Sequence, residues 1–306
     1  MADKVVVAID DLKVSYGRLT AVDGLSLKLP QGSVYGLLGR NGSGKSSTVR
    51  CLLGQQRATG GSVRAFGLDA WHDRRRVLER TAVVPERPDV PPSSTATEIE
   101  RFMARITPRW NGKEFFARLD GFGVPRRQRF DRHSKGQQRQ LALALALSCS
   151  PELLVLDDPT LGLDVVARRD LYEELIGDLA DRGTTVLLTT HDLAGIEGIA
   201  DLIGVLHEGT LLVDEPLDAL KARFCRLVWT QRPELPPEKI EAGLSHLGVV
   251  ASEVVGGAAS AVVNGFSEAA LGLFRREAPV EVTRLEPLSL EEIFVALCGE
   301  VRGGRR

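Results

Sequence analysis

Between Val5 and Leu38 the chain alternates short apolar runs with glycine and proline turns, a pattern typical of β-strands. The last of these runs, Ser33 to Leu38, predicts a buried strand that leads into a glycine-rich loop. The residues from Lys45 to Leu53 after the loop have the apolar spacing of a helix. We therefore predict a strand-rich opening subdomain that ends in a strand, a loop and a helix.

The pattern becomes helical at about residue 93. Thr95 and Glu98 have the spacing of a capping box, which marks a helix start. Further along, Phe115, Leu119 and Phe122 recur at the interval that places them on one helix face. We predict a helical subdomain over about residues 93–150.

Two short apolar runs follow, Leu153 to Leu156 and Thr184 to Thr190. Runs of this kind are typical of parallel strands covered on both faces, and the segment between them, Val165 to Ala180, has a helical pattern. The first part of the chain, residues 1–220, is thus predicted to be one α/β domain.

After Lys221 the pattern changes, and Pro233, Pro236 and Pro237 indicate a linker. Beyond the linker, helical and strand-like segments alternate, which predicts a small α+β accessory domain over residues 221–306. The predicted segments are helices Glu238–Leu247, Glu268–Arg276 and Leu290–Leu297 and strands Ala261–Asn264 and Val280–Leu285.

Composition narrows the possible functions. The 306 residues carry a formal net charge of −2, which gives no general attraction to nucleic acid or anionic membranes. The four cysteines are widely spaced, as expected of reduced thiols rather than of a disulfide or zinc framework. No apolar stretch approaches the ~20 residues of a membrane span, and no secretory leader is recognisable at the start. We expect a cytoplasmic protein that reaches a membrane only through partner proteins.

The glycine loop matches the phosphate-binding pattern GxxxxGK[ST]. Backbone N–H groups in such a loop surround phosphate oxygens at a helix N-terminus, Lys45 reaches the β and γ phosphates, and Ser46 ligates Mg²⁺. An ordinary glycine turn would not have the predicted strand before it and the predicted helix after it. The loop consists of Gly39, Arg40, Asn41, Gly42, Ser43, Gly44, Lys45 and Ser46.

Two later motifs identify the family. The run Ser134-Lys135-Gly136-Gln137-Gln138, followed by Leu153-Leu154-Val155-Leu156-Asp157-Asp158-Pro159, resembles the signature and Walker B motifs of ATP-binding cassette (ABC) ATPases. Other family motifs have counterparts in the expected order across about Val5 to Leu220. They are an adenine-stacking aromatic at Tyr16, the Q-loop position at Glu86, the D-loop at Leu161-Gly162-Leu163-Asp164 and the switch histidine at His191.

The resemblance implies a fold and a set of roles. The fold is a P-loop NTPase core of the ABC type with an antiparallel β subdomain and a helical signature subdomain. Catalytic roles fall to Asp158, His191 and Glu86, and Mg²⁺ ligation to Ser46, Glu86 and Asp157. ATP binding falls to the P-loop, with Tyr16, Ser47, Ser134, Gly136, Gln137 and Asp164.

One residue departs from the family pattern. Asp158 stands where a glutamate usually activates the attacking water as general base. Its side chain is one methylene shorter, so we expect slow hydrolysis and a long-lived closed dimer. The alternative is that the loop shifts inward, or that His191 positions the water well enough for Asp158 to act as an ordinary base.

The resemblance also implies partners. Signature residues of one subunit bind the ATP of the other, so we expect a homodimer or a heterodimer with a second ABC ATPase subunit, attached to integral membrane permease subunits. Three segments resemble the ATPase subunits of drug, polysaccharide and lipid-type ABC exporters. They are Glu86 after Val83-Val84-Pro85, the Trp110 region and the run from Ser289 to Phe294. The alternatives are a regulatory dimerisation module with little hydrolysis and a soluble nucleic-acid or ribosome-associated ABC ATPase. A single P-loop and the absence of long heptad repeats argue against the latter, and we expect no nucleic-acid partner.

Overall fold

The computed structural model describes residues 4–230, 236–255, 257–278 and 280–299, so Pro233 of the predicted linker lies outside the described residues. The strands are β1 Val5–Tyr16, β2 Leu19–Pro30, β3 Val34–Leu38, β4 Gly60–Ala65, β5 Leu68–Asp69, β6 Thr81–Val84, β7 Leu153–Asp157, β8 Thr185–Thr190, β9 Leu202–His207, β10 Thr210–Pro216, β11 Phe224–Thr230, β12 Gly248–Val255, β13 Ala258–Asn264 and β14 Val282–Pro287.

The helices are α1 Lys45–Leu52, α2 Arg74–Leu78, α3 Ala96–Ile106, α4 Gly112–Gly121, α5 Lys135–Leu147, α6 Val165–Arg182, α7 Leu193–Glu197, α8 Leu217–Arg223, α9 Pro237–Leu244, α10 Glu268–Glu277 and α11 Leu290–Cys298. Within the described ranges, none of them has the length and hydropathy that a membrane span requires. The chain divides into two compact units, Met1–Asp214 and Glu215–Arg306. The boundary predicted at residue 220 falls within α8.

A six-stranded sheet forms the centre of the first unit, in the order β10-β9-β3-β8-β7-β6. The neighbours from β9 to β6 pair in parallel, which brings the carboxyl ends of β3, β7 and β8 to the same edge. All five residues of β3 and all six of β8 are buried, as expected of parallel strands covered on both faces. This edge is where the predicted phosphate loop, Asp157 and His191 meet.

A second, antiparallel sheet has the order β2-β1-β4-β5 and confirms the strand-rich opening. The long strands β1 and β2 pair along their whole length, with register shifts that twist the ribbon. Apolar side chains of β1 and β2 pack with α1 and with Tyr35 and Leu37 of β3 in one core. The antiparallel sheet is thereby attached to the strand and helix that hold the phosphate loop.

The predicted helical subdomain consists of α3, α4 and α5. The Thr95–Glu98 capping box is present at the start of α3. Phe115 and Leu119 are fully buried in the core of this subdomain, and Phe122 follows the last residue of α4 as its C-cap. The three elements therefore agree with the helical pattern of the sequence and present the start of α5 at their edge.

The second unit is built on a four-stranded antiparallel sheet with the order β12-β13-β11-β14. Cys225, Leu227 and Trp229 of β11 face a core that also contains Leu271 and Phe274 of α10. The helical predictions agree with α9, α10 and α11, although α9 ends at Leu244 rather than at Leu247. Strands β11 and β12 were not among the predicted segments, and β14 begins two residues later than predicted.

Candidate nucleotide site

The loop of residues 39–44 connects β3 to α1 at the carboxyl edge of the central sheet. Two of its glycines are required by close packing. A Cβ atom at Gly39 would lie 2.4 Å from Ser43 Oγ and 2.5 Å from the carbonyl oxygen of Leu206. Gly44 has a φ of +110°, and a Cβ atom there would lie 2.5 Å from the carbonyl oxygen of Ala21. The tight, inward-facing turn predicted from the motif therefore depends on glycine at both positions.

Lys45 begins α1, and its side chain curls back into the loop. Its Nζ donates to the carbonyl oxygens of Gly39 at 2.6 Å and Arg40 at 3.2 Å, and the residue is only 9% exposed. Burial lowers the pKa of the Lys45 ammonium, while Asp158 and Asp157 act in the opposite direction. The first turn of α1 carries no acidic residue, so its positive end is free to attract an anion.

The loop fits a polyphosphate. Ser43 Oγ is buried and has no hydrogen-bond partner among the described residues. A buried hydroxyl without a partner is costly and is explained by a group that binds there. Arg40, Asn41 and Gly42 are exposed in the loop. These features agree with a site for the triphosphate of ATP.

Two of the three predicted magnesium ligands, Ser46 and Asp157, lie near the same loop, whereas Glu86 lies in the loop after β6. Ser46 is exposed in the first turn of α1. Asp157 ends β7, and its Oδ1 accepts a hydrogen bond of 2.6 Å from Thr189 Oγ1 of β8. This bond fixes the carboxylate and leaves its other oxygen free to act through water. A serine hydroxyl and one oriented carboxylate are the few protein oxygens that Mg²⁺ needs when phosphates supply the rest, so the residues fit this ion.

Asp158 and His191 form a pair directly beside this position. His191 Nδ1 lies 2.7 Å from Asp158 Oδ1, and the backbone N–H of Asp158 donates to the carbonyl oxygen of Thr189 at 2.9 Å. Asp158 has a φ of +52°, in the left-handed region that asparagine and aspartate adopt more readily than longer side chains. The backbone geometry thus suits aspartate at this position.

The segment that carries His191 is attached to α6 through the next residue. The Asp192 carboxylate is 8% exposed and accepts from Tyr172 Oη at 3.1 Å, with Arg168 Nη1 at 3.3 Å. It also accepts from the N–H of Gly195 at the start of α7. Burial and the neighbouring Asp192 carboxylate raise the pKa of Tyr172, which keeps the phenol protonated as a donor. These contacts fix the backbone beside His191.

Tyr16, the predicted adenine-stacking residue, lies at the end of β1 and is 43% exposed. Its hydroxyl donates to Gln56 Oε1 at 2.5 Å and lies 3.1 Å from Ser47 Oγ of α1. The ring is thereby attached to the helix that follows the phosphate loop. Ser47, predicted as an ATP-binding residue, is buried on α1 and contacts the Tyr16 hydroxyl; it does not lie at the loop tip.

The signature residues lie at the start of α5. Ser134 is the N-cap, its Oγ accepts from the N–H of Gln137, and the Gln137 side chain accepts from the N–H of Ser134. A Cβ atom added at Gly136 would have Leu163, Ser134 and Ala167 as its nearest neighbours, none closer than 3.8 Å. Asp164 caps α6 by accepting from the N–H of Ala167. The signature and D-loop predictions therefore fall on two neighbouring helix starts.

Several residues that support the site were not predicted. Thr189 orients Asp157, Asp192 anchors the His191 segment, and Gln56 holds Tyr16. Arg139 of α5 donates to the backbone of Asp158. Only Arg139 had a sequence signal, because a charged residue next to the apolar run of α5 is unexpected on a buried face. Glu86 lies in the loop after β6, and its charge acts on Arg139.

Comparison with known proteins agrees with this geometry. A family model described as ABC transporter matches residues 22–161. The bacitracin transport ATP-binding protein of Bacillus licheniformis is 35% identical over 221 residues, which cover 71% of this chain and 72% of that protein. The daunorubicin/doxorubicin resistance ATP-binding protein of Streptomyces peucetius is 35% identical over 296 residues, covering 93% and 89%.

Solved structures agree on the fold. The structure of an ATP-binding subunit of an ABC transporter superimposes with a TM-score of 0.65 at 26% identity, over 71% of this chain and 92% of that one. A dimeric structure of a bacterial ABC transporter cassette gives a TM-score of 0.63 at 21% identity, over 69% and 98%. The chain therefore belongs to the ATP-binding subunits of ABC transporters and is an ATPase of that family.

Proposed function

We propose that the chain hydrolyses Mg-ATP between two ATP-binding subunits and thereby drives export through separate membrane subunits. The observation that carries the proposal is the Asp158–His191 pair at 2.7 Å beside the buried ammonium of Lys45. Lys45 holds the phosphates, Asp158 accepts a proton from the attacking water, and His191 orients the Asp158 carboxylate. Mg²⁺, held by Ser46 and by Asp157 through water, would neutralise phosphate charge when bound.

The start of α5 supports a composite site. Ser134 and Lys135 are exposed, and the first turn of α5 carries no acidic residue. A capped helix start of this kind attracts an anion, here the γ-phosphate of an ATP bound to another subunit. The adjoining start of α6 exposes Val165 and Val166 at 80% and 62%, which an opposing subunit would cover. A second copy of this chain supplies both halves of such a site, because each copy has a P-loop and a signature.

The transport role rests on relatives. One relative is named for bacitracin transport and another for daunorubicin/doxorubicin resistance. The second aligns with 93% of this chain, so it also spans the accessory unit. By this similarity we propose a subunit of an export system, attached to the inner face of the cell membrane through permease subunits. For the accessory unit we propose a supporting role in the same assembly.

ATP-dependent dimerisation tests the proposal. A Cβ atom at Gly136 fits without a clash in the single chain, so Gly136→Ala is tolerated there and Gly136→Glu places a negative charge toward the partner's phosphate. Light scattering of the full-length chain with ATP and Mg²⁺ should show a dimer for the native chain and for Gly136→Ala. Gly136→Glu should remain monomeric while calorimetry still shows ATP binding. An undiminished dimer in Gly136→Glu would refute the composite site.

A further inference from the structure

Arg139 is a buried cation with no assigned role in the proposed binding or hydrolysis of ATP. It lies on α5, five residues after the N-cap Ser134, and is 7% exposed. Its neighbours along the helix are mostly buried apolar residues, namely Leu141, Ala142, Leu143, Ala144, Ala146 and Leu147. A guanidinium is rarely buried unless it is paired, because it stays charged and loses its hydration. Its position therefore needs an explanation in its contacts.

The contacts lead to the turn that follows β7. Arg139 Nη1 donates to the carbonyl oxygen of Asp158 at 3.0 Å and to that of Pro159 at 3.2 Å. The N–H of Asp158 is held from the other side by Thr189 of β8, and its carboxylate lies against His191. Thr189 and His191, at and just after the end of β8, and Arg139 of α5 thus contact the three polar groups of Asp158.

The hydrogen bonds from Arg139 stabilise a turn with a strained backbone. The backbone of Asp158 is left-handed, a conformation that costs of the order of 1–3 kcal/mol and persists only where the surroundings hold it. The carbonyl of buried Pro159 would lose a hydrogen bond without Arg139, and an unsatisfied buried carbonyl is costly. Burial lowers the pKa of Arg139, while the nearby Asp158 and Glu86 carboxylates act in the opposite direction.

We propose that Arg139 is a positioning residue for hydrolysis, which holds the Asp158 turn in the conformation that presents its carboxylate to the attacking water. The proposal rests on the proposed function, in which Asp158 is the base. Because Ser134 and Gly136 lie on the same helix, Arg139 also connects the surface that binds the partner's ATP to the carboxylate that acts on the chain's own ATP. The two ATP sites are then coupled through one side chain.

Arg139→Met tests this role, since methionine fills part of the space but donates no hydrogen bond. A misplacement of about 1 Å costs on the order of 100-fold in rate, so kcat of the full-length chain should fall by about that factor. The dissociation constant of Mg-ATP, measured by calorimetry, should stay within about twofold, because the P-loop contacts are unchanged. Arg139→Lys keeps the charge with a single compact donor and should lose only about 10-fold in kcat.

Arg182→Met is a control at the other end of α5. Arg182 also donates to a main-chain carbonyl of α5, that of Leu147, and to Ser150 Oγ at 3.2 Å, and it pairs with Glu114 of α4. Its loss should lower the thermal unfolding temperature and leave kcat unchanged. An effect confined to Arg139 thus reports on the Asp158 turn rather than on weakened packing of α5.

Three results would overturn the proposal. They are a native kcat in Arg139→Met, a loss of ATP affinity as large as the loss of kcat, and an equal loss of kcat in Arg182→Met. If Arg139→Met does not fold, Arg139→Lys decides by the same comparison, and native kcat in that variant overturns the proposal. A failure of the proposed function can be told apart from a failure of this proposal. If Asp158 is not the base, Asp158→Asn retains native turnover, independently of the result for the Arg139 variants.

Discussion

Replacement of Asp158 by asparagine removes the negative charge of the side chain and changes little else. Asparagine has the same size and adopts the left-handed backbone as readily as aspartate, so the turn at φ +52° should persist. The substitution removes the carboxylate that we propose accepts a proton from the attacking water. General base catalysis contributes about 10²- to 10⁴-fold, so kcat should fall by at least about 100-fold at saturating ATP.

Glutamate at the same position gives the complementary test. Its extra methylene moves the carboxylate by about 1.5 Å, away from a position where Asp158 Oδ1 already lies 2.7 Å from His191 Nδ1. Glutamate is also less suited to a left-handed backbone. We therefore expect Asp158→Glu to hydrolyse ATP about 10-fold more slowly than the native chain. This expectation follows the alternative in which Asp158, paired with His191, acts as an ordinary base.

The assay is steady-state hydrolysis by the full-length chain, with ATP affinity measured separately by calorimetry. Both variants should bind ATP with near-native affinity, because the P-loop is untouched. If Asp158→Asn keeps turnover within about twofold of native, Asp158 is not the base. If Asp158→Glu is faster than the native chain, the short side chain of Asp158 limits hydrolysis.

Three further changes have defined outcomes. Lys45→Ala removes a buried charge from the phosphates and should weaken ATP binding by about 30-fold or more in calorimetry; unchanged affinity would argue against the site. Asp192→Ala releases the His191 segment from α6 and should lower kcat several-fold more than it raises KM, which steady-state kinetics will reveal. The hydrogen bond from Arg80 holds the pKa of Glu152 at about 2. The paired carboxylate therefore stabilises the fold above pH 4.5, and this contribution is lost as the pH falls from 4.5 toward 2. The Glu152 side chain is 38% exposed, so the expected effect is small. In urea unfolding, Glu152→Gln should be about 1 kcal/mol less stable than the native chain at pH 7, and this difference should be clearly smaller at pH 3. A difference that does not change with pH would contradict the lowered pKa of Glu152.

Local patterns predicted the central strands and the motif-bearing helices. The apolar run that becomes β3 and the capping box of α3 act within a few residues, so their signals are visible in the sequence. Strand β11 was missed because it follows α8 directly, with no turn residue between Arg223 and Phe224. Strand β12 was missed because its register shift and exposed edge position break the alternation that marks a half-buried strand.

The motifs predicted the main site residues but not the residues that hold them in position. The P-loop and the Asp157-Asp158 run have fixed spacing, so their approach at one sheet edge follows from parallel strand order. The bonds of Arg139 to Asp158 and of Thr189 to Asp157 join residues 19 and 32 positions apart. Such contacts depend on tertiary packing, and one sequence contains no spacing rule for them. The left-handed backbone of Asp158 was likewise visible only in the structure.

We propose that each ATP site is shared by two chains. Two defective variants test it together: Lys45→Ala, which keeps its signature, and Gly136→Glu, which keeps its P-loop. Each alone should be nearly inactive. A mixed dimer rebuilds one complete site from the P-loop of one chain and the signature of the other, so an equal mixture should recover up to about a quarter of native ATPase activity. A mixture no more active than the sum of the two variants measured separately would contradict the shared site.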